Sequence, residues 1–75
     1  GTAEALEFNV LPDFPFADTP LRDLTLVGGT LLAGITRGSA SIIPGGDDVI
    51  RPGDRVVVVA AGVPVYDLED IFRRK

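Results

Sequence analysis

Arg37 is the side chain whose setting most invites chemistry. It ends the apolar stretch Leu31-Leu32-Ala33-Gly34-Ile35-Thr36, with Ile35 two residues before it, and across Gly38-Ser39 lie Ile42, Ile43 and Pro44. A guanidinium set beside aliphatic side chains can stack on a flat aromatic base and fork hydrogen bonds to a phosphate. The same pattern also fits a strand-end arginine whose stem simply covers apolar surface. Arg37 is therefore the residue singled out, with Ile35, Ile42, Ile43 and Pro44 beside it. Asp47 and Asp48 adjoin in a Gly-rich stretch. They suit either a carboxylate pair sharing a proton or a turn whose bend Asp tolerates. With Asp54 they could chelate calcium, although their spacing lacks the ladder of ligands of an EF-hand. Gly28, Gly29 and Gly34 do not form the G-x-G-x-x-G fingerprint of a dinucleotide site.

Composition narrows the chemistry further. The 75 residues include no histidine and no cysteine, which removes the commonest general base and the strongest thiol nucleophile. It also removes a disulfide framework and a thiolate zinc site. The expectation is a binding or regulatory domain with no cofactor and no catalytic residue, not an enzyme. Seven basic against eleven acidic residues leave a net charge of −4, the wrong sign for a nucleic-acid footprint. The one basic cluster, Arg73-Arg74-Lys75, sits at the end of the sequence. No apolar run approaches the roughly 18 residues of a membrane span, and no signal pattern opens the chain. Absent cysteine fits a cytoplasmic setting. The chain has no methionine and reads as a fragment of a longer protein, with Gly1-Thr2 a cloning remnant.

The elements that must position these residues follow from periodicity. Leu6, Phe8 and Val10 alternate with Glu7 and Asn9, the signature of a half-buried strand. Asp13 to Asp18 carries Pro15 between two phenylalanines and reads as a loop. Thr19 is placed as an N-cap and Pro20 as the first residue of a short helix to about Leu24. Thr30 to Arg37 forms a second strand, with Leu31, Ala33, Ile35 and Arg37 on one face. Gly38-Ser39 makes a tight hairpin turn, and Ser41 to Pro44 returns as a third strand. Gly45-Gly46-Asp47-Asp48 is a turn, Val49-Ile50 a brief extended piece, and Pro52-Gly53 the centre of a type II turn. Arg55 to Ala61, with four consecutive valines, reads as a fully buried central strand. Leu68, Ile71 and Phe72 share a face at helical spacing, with acids early and Arg73, Arg74 and Lys75 late, as the dipole of a C-terminal helix favours. The fold class is thus α+β: a small mixed or antiparallel sheet of four to five strands, a short helix after strand one and a C-terminal helix. A chain of this size buries only roughly 60% of its unfolded surface, and such a core rarely contributes more than about 3–5 kcal/mol. Without disulfides or a metal, a partner subunit is the remaining source of stability.

Taken in order, the motifs form a pattern. It runs Ile35-Thr36-Arg37, Gly38, Ile42-Ile43-Pro44, Gly46-Asp47-Asp48-Val49-Ile50, Pro52-Gly53-Asp54 and the valine-rich strand, after Pro20-Leu21-Arg22-Asp23-Leu24 and before Tyr66 to Phe72. This order resembles the TrkA C-terminal domain family, the RCK_C module of potassium-uptake regulators, potassium channels and related cation transporters. The resemblance covers nearly all of residues 1–75, read as one such regulatory domain. It implies a cytoplasmic homodimer, peripheral to or tethered at the inner face of the plasma membrane. There it would serve a membrane-embedded potassium or cation transporter or channel subunit, usually following a nucleotide-binding Rossmann domain. It also implies a small ligand, in some members cyclic di-AMP at the dimer interface. By position the contacts would be Ile35, Arg37, Ile42, Ile43 and Pro44, and Arg37→Ala should abolish nucleotide binding while leaving the fold intact. The hairpin here reads Gly38-Ser39-Ala40, where members often carry Asp-Gly or Asn-Gly. Further polar contacts for an adenine are confined to Thr36, Ser39 and Ser41. Two alternatives stand beside this reading: a dimerisation module without ligand, and a peptide-binding module of PDZ type, which shares a Gly-Asp before an apolar strand but whose carboxylate-binding loop is lacking here.

Overall fold

The computed structural model describes residues 2–75; Gly1, read as part of a cloning remnant, lies outside the described residues. Six strands run in chain order: β1 (Ala3–Asn9), β2 (Leu24–Leu26), β3 (Thr30–Arg37), β4 (Ala40–Ile42), β5 (Arg55–Ala61) and β6 (Phe72–Arg74). Four of them make a sheet in the order β1-β5-β3-β4, and β2 pairs with β6 in a second, two-stranded sheet. Every pairing is antiparallel.

The register explains the core. Phe8 lies opposite Val56, Val56 opposite Ile35, and Ile35 opposite Ile42, so one apolar row crosses all four strands. Leu6, Val58 and Leu32 form the next row. Directly opposed residues share a face, and that face is buried under the second sheet and its flanking turns. Val56, Val58, Ile35, Ile50, Ile71 and Phe72 are essentially inaccessible. Phe14, Phe16 and Phe72 close the core as a triangle of rings with centroids 5.7–6.0 Å apart, a separation at which edge-to-face contacts are favourable.

Two sequence expectations about strand faces change. A bulge between Leu32 and Gly34 leaves Ala33 without a partner on β5, and the extra residue switches the alternation. Leu32, not Leu31 or Ala33, joins Ile35 on the core face, and Leu31 is exposed. β5 lies between β1 and β3, yet Val57 and Val59 are only half-buried. The chain covers one face of this strand and leaves the other open.

The two helices of the α+β expectation are also corrected. Leu21–Asp23 and Leu68–Ile71 are single 3-10 turns, each leading straight into a strand, and no α-helix occurs among the described residues. The fold is mostly antiparallel β. Pro20, not Thr19, occupies the cap position, and no side chain caps the turn. Leu24 then goes extended because its buried side chain and its pairing with Arg74 require it. At the tail, Asp67 N–H donates to Asp70 Oδ2 (3.0 Å), and the turn ends at Ile71. Ile71 and Phe72 are both buried, Ile71 closing the turn and Phe72 opening β6. An isolated helix of this length is marginal in water, and ladder bonds to β2, extended by Val27 N–H to Ile71 O (2.8 Å), outweigh it. Val49-Ile50 forms no strand. The other turns stand as read: Gly38 (φ 59°) and Gly53 (φ 90°) take the positive φ their positions demand.

Candidate functional site

Arg37 turns inward. Its Nε donates to Asp54 Oδ1 (2.9 Å), and its Nη2 donates to Asp54 Oδ2 (2.8 Å) and to the Val49 carbonyl (2.9 Å). The Arg51 backbone N–H also donates to Asp54 Oδ2 (2.9 Å). Asp54 is 2% exposed while the Arg37 side chain keeps 32% of its surface. The forked Arg37 hydrogen bonds hold the Asp54 carboxyl below the usual carboxylate range. Burial opposes that shift, and the Arg51 N–H with the charges of Arg37 and Arg51 adds to it. The same hydrogen bonds raise the guanidinium above its ordinary value, against its own desolvation and with help from the charges of Asp54, Asp48 and Asp18. No acceptor among the described residues takes Nη1. Arg37 is therefore a strut with one free edge. The sequence expectation did not pair Asp54 with Arg37, and the expectation that Arg37→Ala leaves the fold intact conflicts with a buried carboxylate that would lose its partner.

The remaining candidates part company. Ile35 is 1% exposed and belongs to the core beneath Arg37, whereas Ile43 is 91% exposed. Ile42 is partly buried against the core. Pro44 lines a cleft of about 400 Å³, a volume within the range of small-molecule sites. Leu31 and Leu32 form one side of it, Leu21, Leu24 and Leu26 another, and Gly45-Gly46 close the end beside Pro44, with the buried Phe72 also reached. The cleft exists because β4 pairs with β3 only from Ile35 to Arg37, leaving the earlier half of β3 as a free edge. Its far wall is held in place by Leu21 N–H to Asp48 O, Arg22 N–H to Gly46 O and Asp18 N–H to Ile50 O, all 3.0 Å. The structure thus joins Pro44 to leucines that the sequence reading did not single out, and Arg37 does not line that cleft. The signal was the three-residue length of β4, which only the register reveals.

The three acids read as turn or chelating residues do not converge. Asp47 pairs with Arg22, Asp48 Oδ2 accepts from Gly45 N–H (2.7 Å), and Asp54 is taken by Arg37 and Arg51. Turn chemistry accounts for Asp48 and Asp47, while Asp54 is a buried ion-pair partner.

Known proteins share this chain's sequence pattern and fold. The sequence model of the TrkA-C domain matches residues 5–73. The chain belongs to the TrkA-C domain family. It is 34% identical over 73 residues to the Trk system potassium uptake protein TrkA of Azorhizobium caulinodans, which covers 97% of this chain and 16% of that protein. Trk system potassium uptake protein TrkA homolog 2 of Methanosarcina mazei is 33% identical over 72 residues, covering 96% and 16%. Among solved structures, an RCK domain with cda matches at a TM-score of 0.65 and 31% identity, over 77% of this chain and 81% of that one. This TrkA-C chain spans about one sixth of the length of the curated relatives it matches. No helix in it is long and apolar enough to cross a membrane.

Proposed function

We propose that this TrkA-C domain is a regulatory, dimerising module of a potassium uptake system, positioned on the cytoplasmic side beside a membrane transporter or channel subunit. Its ligand is a cyclic dinucleotide of the cyclic di-AMP kind, bound where two copies meet. The observation that carries this reading is the apolar cleft beside Pro44, flanked by the exposed Leu31 and followed outward by Ile43. A flat purine suits such a cleft, and a second copy would cover the apolar surface continuous with it. Arg37 offers its free Nη1 edge to phosphate from outside the cleft, and Ile35 anchors its strand. Pro44 joins the leucines in the apolar wall, Ile42 packs behind against the core, and the exposed Ile43 extends the apolar surface beside Pro44. The solved RCK domain with cda supports a small-ligand role for the fold. The role is binding, not catalysis.

Thermal melting with and without ligand tests this. Saturating cyclic di-AMP should raise the melting temperature through linkage, whereas cyclic di-GMP and ATP should not. No shift with any nucleotide would favour the second reading, a dimerisation module without ligand, to which the half-open face of Val57 and Val59 lends itself.

A further inference from the structure

We propose that Arg22, on the wall of the cleft, is a phosphate-binding residue held in reserve by Asp47. The inference rests on the nucleotide reading of that cleft and adds to it a contact that the sequence pattern did not supply.

Arg22 is the one charged side chain lining the cleft among the described residues. A nucleotide whose base enters between Leu21, Leu24 and Leu32 carries its phosphate only a few bonds away, and Arg37 does not reach this cleft within one chain. The two guanidinium groups are differently committed. Arg37 spends Nε and Nη2 on a buried carboxylate and a carbonyl. Arg22 is 57% exposed and bonds through Nη1 to Asp47, itself 96% exposed. An exposed pair of this kind contributes little to folding, and this one is not needed to hold the turn, because the Arg22 backbone N–H already binds Gly46 O. The root of Arg22 is fixed all the same: a Cβ placed on Gly46 would lie 3.3 Å from Arg22 Cβ. A phosphodiester offers guanidinium a forked, charge-assisted contact, and Asp47 is the anion it must displace. Asp47 thereby lowers affinity for every phosphate ligand and excludes uncharged aromatic compounds from none of the cleft's apolar contacts.

The test is the dissociation constant of cyclic di-AMP for the chain and for Arg22→Gln, Arg22→Lys and Asp47→Asn. All three substitutions change exposed tips, so melting temperatures should hold and report on folding independently. Arg22→Gln should weaken binding about tenfold or more, Arg22→Lys less, since it keeps the charge but loses the fork. Asp47→Asn should tighten binding about two- to fivefold by releasing the competing ion pair. Added salt should weaken binding more steeply in the unmodified chain than in Arg22→Gln. Unchanged affinity in Arg22→Gln, with the unmodified chain binding normally, would overturn the role of Arg22 and leave the nucleotide reading intact. Failure of the unmodified chain to bind cyclic di-AMP at all would overturn both.

Discussion

Asp54 lies almost fully out of water, its two carboxylate oxygens accepting three hydrogen bonds in all from Arg37 and the Arg51 N–H. Such a group is expensive to disturb, because an orphaned partner keeps its desolvation penalty. Asp54→Asn should cost about 2 kcal/mol, a fall of roughly 8–16 °C in melting temperature for a domain of this size, read by circular dichroism. Arg37→Ala should also lower the melting temperature, so a binding defect in that variant speaks of the site only after folding is checked. The acid dependence follows from the direction of the shift. The Asp54 carboxyl is depressed in the folded state, so its contribution is complete above the unfolded value of about 3.9. It fades as pH drops from there through the folded value. Denaturant titrations should show stability falling below about pH 4, and the Asp54→Asn variant should lose that part of the slope. Arg37 was legible as a strand-end arginine beside aliphatic residues. Its partner was not, because Asp54 sits 17 positions away inside a Pro-Gly-Asp sequence that local reading assigns wholly to a turn.

Strands and turns carry the next level. The Gly38-Ser39 hairpin, the Pro52-Gly53 turn and the spans of β3 and β5 follow from residue types alone, since each depends on neighbours within a few positions. The tail does not. Leu68, Ile71 and Phe72 have helical spacing, but the open edge of β2 competes for Phe72 to Arg74, and tertiary pairing overrides a weak local preference. The bulge at Ala33 escaped for a similar reason: strict alternation has no way to mark an extra residue that only the partner strand defines. Three substitutions probe this level. Phe72→Ala removes the fully buried corner of the aromatic triangle and should cost about 3–5 kcal/mol. That is comparable to the whole stability of a small core, so the variant should be largely unfolded by far-ultraviolet circular dichroism and amide dispersion. Gly29→Ala places a methyl 2.6 Å from Val63 Cγ2 and 2.8 Å from Ala61 O, at a φ of +85°. It should melt clearly below the parent, whereas Gly34→Ala, which meets nothing within 4 Å, should be milder.

At the scale of the whole molecule, one side of the main sheet is packed and the other is left with Leu31, Val57 and Val59 in partial contact with water. Leu31 at 58% and Ile43 at 91% exposure flank the region of the cleft. Those surfaces, with a core this small, are the physical case for a homodimer. Leu31→Glu and Ile43→Asp should each shift sedimentation toward the monomer at micromolar concentration; dimers unaffected by both would place the pairing surface elsewhere. The family was legible because it depends on the order of motifs along the chain. The cleft was not, because it depends on where a strand stops. A calorimetric titration of the chain with cyclic di-AMP, alongside cyclic di-GMP and ATP, decides whether the domain senses a nucleotide. Selective binding near one ligand per two chains is the predicted result. Absence of heat with all three, in a chain shown to be folded and dimeric, would contradict ligand sensing by this domain.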